Sequence, residues 1–365
     1  MNHYFPEIKK NFGFGCMRLK MNGDEVDFKE MSEMVDTFLA NGFNYFDTAK
    51  FYVNGKSELA LKECLTSRYP RDAYVLTDKL STNFFKCRED IEPLLDEQLA
   101  ACGVEYFDFY LMHAQYSKNY EHYKNCHAYE EAFRLKKAGK IRHVGISFHD
   151  KADYLDMILT ENPEVEVVQL QFNYVDYEDD QVQSRLCYEV CQKHGKPVIV
   201  MEPVKGGQLV NMSDAAGKVL DDLGGGSRAS YAIRFAAGFP NVMMVLSGMG
   251  SMEMMNDNIS YMKDFKPLNE TELAAVRKVA AIYHGEEQIP CTACRYCVDG
   301  CPEGIQIPDL FAVSNKAKMN DTTPDFTQVS GGKPADCVRC GKCEQICPQF
   351  LPIRALLRKL ANEQT

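Results

Sequence analysis

Short apolar segments alternate with longer amphipathic ones from about residue 10 to residue 265, and this alternation limits the fold more than any other feature. Eight apolar segments have the length and composition of β-strands, at residues 12–17, 43–47, 74–79, 107–113, 141–147, 167–172, 198–202 and 242–247. Segments with helical spacing lie between or after them, at residues 28–40, 57–65, 91–101, 128–137, 154–159, 181–193, 228–237 and 252–262. Eight strand–helix units in roughly 250 residues predict a closed (β/α)8 TIM barrel, because an open doubly wound sheet usually stops at five or six strands.

Composition and charge exclude several classes of protein. The chain has 365 residues, of which 45% are hydrophobic, as is normal for a protein with a sizeable core. Its formal net charge of -11 argues against a nucleic-acid partner, since binding to phosphates needs clustered Lys and Arg. The first 15 residues lack the apolar region of a signal peptide, and no later stretch is apolar enough for a membrane span. We therefore expect a cytoplasmic protein without a membrane span.

The sequence changes character after Pro267, which predicts a second, smaller domain. An amphipathic helix at residues 270–283 begins this region, with Asn269 as its N-cap and Glu272 placed to complete a capping box. Residues 321–334 are rich in Thr, Pro, Gly and Lys, and a basic helix follows near residues 353–360. We expect a barrel domain at residues 1–265 and, at residues 266–365, a helical linker followed by a small α-rich domain.

The 15 cysteines are distributed unevenly along the chain. Seven are scattered without metal-ligand spacing, and we interpret them as core residues or reduced thiols rather than disulfides. The other eight form two runs of the pattern C-x2-C-x2-C-x3-C-P, which is typical of ligands to 4Fe-4S clusters. In such runs the first three cysteines bind one cluster and the fourth binds the other. The expected ligand sets are Cys291, Cys294, Cys297 and Cys347 for one cluster and Cys337, Cys340, Cys343 and Cys301 for the second.

The two cysteine runs resemble a bacterial two-cluster ferredoxin, and this resemblance implies two 4Fe-4S clusters in a ferredoxin-like domain. Two alternatives remain open. Paired zinc knots also begin with C-x2-C, because tetrahedral thiolate sites use the same local spacing. Alternatively, the clusters are present but only stabilise a tail whose apolar core is too small to fold alone.

Four residues near the ends of predicted strands suggest a proton-transfer site. Asp47, Lys79 and His113 end the second, third and fourth strands, and Tyr52 lies on the loop after the second strand. The carboxyl ends of barrel strands meet at one rim, so we expect these side chains to lie close together. A neighbouring ammonium lowers the pKa of a phenol, so Tyr52 would act as the acid, with Lys79 tuning it and Asp47 holding Lys79. Each residue alone is more often a cap, a rim charge or a satisfied polar group, whereas the four together indicate catalysis.

Six short motifs occur in a fixed order along the barrel region. They are Gly13-Phe-Gly15-Cys-Met-Arg, Phe46-Asp47-Thr48-Ala49 with Tyr52, Leu76-Thr-Asp-Lys79, Phe107-Asp108-Phe-Tyr-Leu-Met-His113, Val144-Gly-Ile-Ser147 and Pro203-Val-Lys-Gly-Gly-Gln-Leu209. With these motifs the chain resembles the aldo-keto reductases, in the branch with a C-terminal two-cluster ferredoxin-like domain. The resemblance implies that Asp47, Tyr52, Lys79 and His113 reduce a carbonyl with hydride from a nicotinamide, with His113 orienting the carbonyl oxygen.

The resemblance also implies a nicotinamide dinucleotide, NADP or NAD, as cofactor. The expected contact residues are Gly15, Cys16, Met17, Asp47, Ser147, Gln169, Pro203, Lys205, Gly206, Ser247, Gly248, Asp257 and Asn258. This chain departs from the family at Phe148, where an Asn usually follows the Ser, and at Met201, where an aromatic ring often stacks on the nicotinamide. The basic pair that usually grips the 2′-phosphate of NADP falls at Gly248 and Met254. Without these cations NAD and NADP both stay open, with Lys205 as a candidate substitute and flavin as a third alternative.

The leading prediction is an oxidoreductase that interconverts a small carbonyl compound and an alcohol, with Tyr52 as proton donor and with electron transfer through two 4Fe-4S clusters. Nicotinamide carries two electrons as hydride, whereas each cluster carries one, and the sequence has no evident flavin site to convert between them. The alternative is an electron-transfer or redox-sensing protein whose barrel binds nucleotide without carbonyl turnover. A redox protein is a candidate partner. Arg18, His149 and the loop at residues 116–123 are candidates for lining the substrate pocket, although a salt bridge within the barrel suits Arg18 better.

Overall fold

The computed structural model describes residues 4–363. The chain divides into two compact units. The first comprises Met1–Pro203 and Ala232–Leu268, and the second comprises Val204–Tyr231 and Asn269–Thr365. The second unit thus includes residues 204–231, which the predicted boundary between residues 265 and 266 assigns to the barrel domain.

A closed barrel of eight parallel strands forms the first unit, as predicted. The strands are β1 (Phe12–Gly15), β2 (Tyr45–Asp47), β3 (Val75–Leu80), β4 (Phe107–Gln115), β5 (Ile141–Phe148), β6 (Val167–Gln171), β7 (Val198–Met201) and β8 (Val242–Ser247). Strand β1 pairs with both β2 and β8, which closes the barrel. All carboxyl ends therefore meet at one rim, where the following loops can carry a site.

The helices up to residue 262 follow the predicted periodicity with three differences. They are α1 (Phe28–Ala40), α2 (Lys56–Leu61), α3 (Ile91–Cys102), α4 (Tyr120–Asn125), α5 (Ala128–Lys137), α6 (Ala152–Glu161), α7 (Ser184–Lys193), α8 (Asp214–Asp221), α9 (Arg228–Ala237) and α10 (Met252–Met262). Helix α4 occupies part of the segment that was expected to be a loop, and α8 was not predicted. The predicted helix at residues 57–65 ends in a π-turn, Lys62–Thr66. A short hairpin, Met21–Asn22 with Glu25–Val26, was also missed.

Strand β4 carries an irregularity beside the predicted site. Its pairing with β5 shifts register between Met112 and Gln115, and Ala114 has a φ of 50°. A positive φ at a residue other than glycine is uncommon, and together with the register shift it marks a β-bulge. The strand consequently runs two residues beyond His113, and the bulge changes the direction of the side chains around it.

The amino-terminal end of the barrel is filled by the start of the chain. Phe5 packs edge-on against Phe109, with ring centroids 4.9 Å apart, and Ile8 is buried in the same cluster. Burial of side chains of this size stabilises a protein by about 1.5–3 kcal/mol each. This end of the barrel is therefore packed core, so the opposite rim is where a site can form.

The second unit contains four further helices in addition to α8. They are α11 (Glu270–Gly285), α12 (Ile307–Met319), α13 (Lys342–Ile346) and α14 (Ile353–Asn362), and α8 packs against α11. Helix α11 begins at the predicted capping box, in which the backbone N–H of Glu272 donates to Asn269 Oδ1 at 3.0 Å and that of Asn269 donates to Glu272 Oε2 at 2.8 Å. Helices α12 and α13 were not predicted.

A continuous apolar core lies between the cysteine runs of the second unit. It includes Ile305, Phe311, Leu351 and Leu357, each less than 9% exposed, with several cysteines packed against it. This core is larger than the sequence-based view of the tail implied. In the part of the chain from residue 4 to residue 363, no helix is both long and apolar enough to cross a membrane.

Candidate functional site

A buried ion pair between Asp47 and Lys79 lies at the carboxyl-end rim of the barrel. The two residues come from the ends of adjacent strands β2 and β3, and Lys79 Nζ donates to Asp47 Oδ1 at 2.7 Å and to the carbonyl oxygen of Thr48 at 2.7 Å. Both side chains are almost completely buried. Burial raises the pKa of Asp47, while Lys79 and then Gln169 oppose that shift. Removing one partner would leave a buried charge uncompensated, at a cost of about 3–5 kcal/mol. The two hydrogen bonds of Lys79 hold its ammonium in a fixed position.

Tyr52 lies directly beside this ammonium. Lys79 Nζ is 4.7 Å from the centroid of the Tyr52 ring, and the phenol is 8% exposed, on the short turn Tyr52–Gly55 after β2. Burial, followed by the charge of Asp47, raises the pKa of Tyr52 well above its ordinary value. The prediction that this pKa is lowered overall is therefore wrong, because loss of hydration and the nearby carboxylates outweigh the ammonium of Lys79. The phenol stays protonated at neutral pH, as a proton donor must.

His113 completes the group. Its ring lies edge-on to Tyr52 with centroids 6.1 Å apart, and its Nδ1 is 2.6 Å from the hydroxyl of Ser81. Burial, followed by the charge of Lys79, lowers the pKa of His113 well below its ordinary value, so the ring is neutral. If the Ser81 hydroxyl donates to Nδ1, the ring proton resides on Nε2, which is then a hydrogen-bond donor. Ser81 was not predicted as a site residue. Its position two residues after Lys79 was the one feature of the sequence that could have indicated it.

Two buried polar atoms at the carboxyl end of β5 have no hydrogen-bond partner within residues 4–363. They are Ser147 Oγ, on a residue that is 1% exposed, and His149 Nδ1. Burial lowers the pKa of His149 to about 4, so this ring is also neutral. Buried polar groups normally find partners, so unsatisfied ones at a barrel rim indicate a place where a ligand binds. Gln169, on the neighbouring strand β6, donates from Nε2 to Asp47 Oδ2 at 3.3 Å and is 2% exposed.

The remaining predicted contact residues of the first unit lie at or just beyond strand ends, except Asp257 and Asn258, which lie within α10. Cys16 is buried and its backbone N–H donates to the Asp47 carbonyl at 2.8 Å, which ties the segment Gly15–Met17 to β2. After β8, Asn258 Nδ2 donates to Ser247 Oγ at 2.8 Å. Gly248 and Met254 are both exposed and provide no cation, and Asp257 is partly exposed. Arg18 forms the expected salt bridge, with Glu202 at 3.4 Å.

The segment that follows β7 is divided between the units. Pro203 is buried in the first unit, whereas Lys205 and Gly206 belong to the second. Lys205 is 2% exposed, with Nζ 6.0 Å from the centroid of the Tyr283 ring. A Cβ on Gly206 would come within 2.3 Å of the Thr292 carbonyl oxygen, and its φ is +63°, so only glycine fits. The use of Lys205 as a cofactor cation stays a prediction.

Behind Lys79 lies a buried acidic pair that sequence reasoning did not anticipate. Asp78 and Glu58, from β3 and α2, are 0% and 3% exposed and both accept from Gln98 Nε2, at 3.0 and 3.2 Å. The Lys79 backbone N–H also donates to Asp78 Oδ1 at 2.7 Å. Burial and then the charge of Glu58 raise the pKa of Asp78 well above its ordinary value, which favours a proton shared by the pair. The two carboxylates are twenty positions apart in sequence, which is why no local pattern shows them.

Asp78→Asn should stabilise the protein increasingly as pH rises. Because the folded-state pKa of Asp78 is raised, the wild type is most stable below the unfolded pKa near about 4 and loses stability as pH rises toward the folded pKa. Asparagine keeps the Oδ1 acceptor, can donate to Glu58 and does not titrate. We expect the free energy of unfolding in urea to gain on the order of 1–3 kcal/mol at pH 8.5 and much less at pH 5. A gain that is equal at both pH values would contradict this assignment, and Asp78→Ala, which loses the hydrogen bonds, should destabilise at both.

Eight cysteines of the second unit line two cavities. One is lined by Cys291, Cys294, Cys297 and Cys347, and the other is lined by Cys301, Cys337, Cys340 and Cys343. Apolar side chains such as Ile307, which borders both, form most of the remaining walls. Each set thus contains three cysteines of one run and the last cysteine of the other. Four thiols around an apolar cavity fit the ligand requirement of a 4Fe-4S cluster.

The two runs also have the same backbone conformation. The second begins 46 residues after the first, Cys337 against Cys291, and equivalent residues adopt positive φ. Ala293 and Arg339 have φ of 53° and 58°, and Phe350 repeats the φ of Gly304 at 51° against 59°. Helices α12 and α14, beginning at Ile307 and Ile353, repeat the same offset. Left-handed conformations at residues other than glycine carry a cost of about 1–2 kcal/mol each, so their recurrence indicates that both loops wrap around a similar body.

Comparison with known proteins agrees with this geometry. Residues 11–281 match the family model described as "Aldo/keto reductase family". The chain belongs to the aldo/keto reductase family. Residues 290–351 match the model of a 4Fe-4S dicluster domain, so this family member carries two 4Fe-4S clusters in its second unit.

Relatives of known structure or sequence share only part of the chain. The structure is similar to that of an aldo-keto reductase from Klebsiella pneumoniae in complex with NADPH, with a TM-score of 0.60 and 20% identity, covering 74% of this chain and 90% of that one. The NAD/NADP-dependent indole-3-acetaldehyde reductase of Schizosaccharomyces pombe is 27% identical over 188 residues, 50% of this chain and 61% of that protein. The NAD(P)H-dependent D-xylose reductase of Scheffersomyces stipitis is 26% identical over 179 residues, 42% and 55% respectively. The chain therefore matches less than two thirds of the length of these two curated relatives.

Proposed function

We propose that this protein is a nicotinamide-dependent oxidoreductase that interconverts a small carbonyl compound and an alcohol, with Tyr52 as the proton donor. The observation that carries this proposal is the fixed position of the Lys79 ammonium, 2.7 Å from Asp47 and 4.7 Å from the Tyr52 ring. An ammonium held beside a protonated phenol stabilises the phenolate that remains when the proton leaves. Tyr52 can therefore release a proton to an oxygen atom bound at the rim, although its own resting pKa is raised.

In the proposed reaction the side chains of this chain orient the carbonyl and supply its proton. The neutral His113 ring donates from Nε2 to the carbonyl oxygen, which keeps that oxygen within reach of the Tyr52 hydroxyl. A nicotinamide held by Ser147 and Gln169 would supply the hydride to the carbonyl carbon. As negative charge develops on the oxygen, the Tyr52 proton moves to it, and Lys79 compensates the phenolate. In the direction of alcohol oxidation the same groups act in reverse.

The cofactor assignment rests on polar groups at the rim, of which Ser147 Oγ is unsatisfied and the Gln169 amide already donates to Asp47 Oδ2. Ser147 Oγ and the Gln169 amide suit the carboxamide of a nicotinamide ring, which offers both a donor and an acceptor. The exposed Gly248 and Met254 supply no cation for a 2′-phosphate. Each missing charge-assisted contact is worth about 1.5–3 kcal/mol, so we expect less discrimination against NADH than a basic pair would give. The solved relative with NADPH and the relatives named as NAD(P)-dependent support a nicotinamide dinucleotide in either form.

For the second unit we propose that the two sets of four cysteines are the cluster ligands, crossed between the runs. The lining of the two cavities supports this assignment. The clusters would pass single electrons to or from a redox partner, in a cytoplasmic setting that keeps the other thiols reduced. Hydride carries two electrons, so exchange between nicotinamide and the clusters needs two one-electron steps. The alternative function is that of an electron carrier. Its barrel would bind nucleotide but would turn over no carbonyl compound.

Anaerobic purification followed by two assays separates these functions. The enzyme should oxidise NADH or NADPH only when a carbonyl compound from a panel of aldehydes and ketones is added, followed at 340 nm. The carrier would instead bleach the cluster absorbance near 400 nm on addition of reduced nucleotide alone. Carbonyl-dependent turnover supports the proposal, whereas cluster reduction without any carbonyl turnover would replace it with the alternative. The preparation should contain about eight iron atoms per chain, as two 4Fe-4S clusters require.

A further inference from the structure

The two cysteine-lined cavities differ in their access to solvent. In the cavity formed by Cys301, Cys337, Cys340 and Cys343, Cys340 is exposed and the adjacent Val338 is 58% exposed. In the other cavity no cysteine is exposed, and Cys297 is only 8% exposed. A cluster bound by Cys340 therefore lies next to the surface of the second unit, where another protein can approach it closely.

The residues around this exposed cavity are positively charged although the whole chain carries a net charge of -11. Arg339, Lys342 and Arg354 line it, against the single carboxylate of Glu303. Arg354 is bound to Glu344 at 2.7 Å, whereas Arg339 and Lys342 have no carboxylate partner within residues 4–363. The other cavity has one charged lining residue in the described chain, Arg295, and it is neutralised by Asp309 at 2.8 Å.

We propose that Val338, Arg339, Cys340 and Lys342, here called the Cys340 face, dock a small acidic ferredoxin that exchanges single electrons with the cluster bound by Cys340. Unneutralised cations on an otherwise acidic protein attract an acidic partner and orient it toward one place on the surface. An exposed apolar residue, Val338, lines the same cavity as Arg339 and Lys342, a mixture that matches interfaces with an apolar centre and a polar rim. The inference rests on the proposed cluster ligands and does not depend on the carbonyl chemistry.

The exchange itself involves electrons alone. The reduced ferredoxin loses one electron and the oxidised cluster gains one, with no bond made or broken and no proton moved. Encounters of this kind are weak and bury less than about 1,200 Å² in total, so the few residues of the Cys340 face are a sufficient docking surface. Their effect should appear mainly in the rate of association and in its dependence on salt.

The test uses the full chain with its clusters and a purified acidic two-cluster ferredoxin. Stopped-flow absorbance measures the second-order rate constant for electron transfer from the reduced ferredoxin, and calorimetry measures binding of the oxidised ferredoxin. We expect the rate constant to fall at least tenfold between about 20 mM and about 300 mM NaCl. Arg339→Glu and Lys342→Glu should each lower it about 3- to 10-fold at low salt, because each reverses a charge in the docking face.

Lys278→Glu is the matched control, since Lys278 is an exposed cation of α11 in the same unit that lines neither cavity. It should leave the rate constant and the binding unchanged. Iron content and the electron paramagnetic resonance spectrum of the dithionite-reduced protein verify that each variant keeps its clusters. A rate constant independent of salt, or an equal loss in the Lys278→Glu control, would overturn the proposal. If one Cys340-face variant loses iron, the other variant and the salt dependence of the wild type decide the question.

Discussion

Tyr52→Phe should lower kcat for carbonyl reduction by about 10²- to 10⁴-fold, the usual loss when a positioned general acid is removed. The substitution deletes one oxygen atom and keeps the ring beside Lys79, so the barrel and the Asp47–Lys79 pair should be unchanged. Binding of the reduced nucleotide, measured by quenching or enhancement of its fluorescence, should change little. The decisive measurement is the rate of carbonyl-dependent nucleotide oxidation at saturating concentrations of both substrates.

Tyr154→Phe is the matched control, because Tyr154 belongs to α6 on the outside of the barrel and loses the same atom. Its kcat should stay within about twofold of the wild type, as expected for a substitution away from the site. The pH profile gives an independent check. Because the pKa of Tyr52 is raised above about 10, the wild-type rate should show no alkaline loss from this residue between about pH 6 and pH 9. Full activity in Tyr52→Phe would remove the residue from the mechanism.

Pairs of cysteine substitutions should show that the cluster ligands are crossed between the runs. Cys291 and Cys347 line the same cavity, so the double variant Cys291→Ala/Cys347→Ala should keep one cluster, with about four iron atoms per chain. Cys291 and Cys301 line different cavities, so Cys291→Ala/Cys301→Ala should lose both clusters. If each run instead bound its own cluster, the two outcomes would be exchanged.

Iron analysis of protein purified without oxygen, together with absorbance near 400 nm, distinguishes these results. Circular dichroism at high temperature should show that the second unit of the variant without clusters melts far below that of the wild type, because bound metal contributes directly to folding in small metal domains. Protein absorbance and nucleotide binding by the barrel serve as the internal control that each variant is expressed. Equal iron content in the two double variants would contradict both ligand schemes.

The sequence predicts the barrel well because strand and helix periodicity are local properties. Asp47 and Lys79 were found in the same way, since a polar residue that ends an apolar strand must lie at the rim. The direction of the Tyr52 pKa shift was missed because it depends on how much water the fold excludes, which spacing does not encode. The bulge at Ala114 and the Asp78–Glu58 pair were missed for a related reason, because both arise from contacts between distant segments.

In the second unit the cysteine spacing predicted two crossed ligand sets, and the same sets of four line the two cavities, while their role as cluster ligands stays a prediction. The helices around them were only partly foreseen. Helix α12 was missed because Pro308 and several polar residues interrupt its apolar pattern, although proline is well tolerated at the start of a helix. The association of residues 204–231 with this unit had no sequence signal. It follows from contacts such as those of the Gln208 amide with the carbonyl oxygens of Ile289 and Cys291, at 3.1 and 3.2 Å.

The crossed lining of the cavities has a consequence for biosynthesis. The cavity that contains Cys291 becomes complete only when Cys347 is present, and the cavity of Cys337 needs Cys301 from the earlier run. Under the proposed ligand sets, neither half of the tail would acquire its iron during translation as a separate module. A chain that ends between the runs would hold only three of the four proposed ligands of that cavity, Cys291, Cys294 and Cys297.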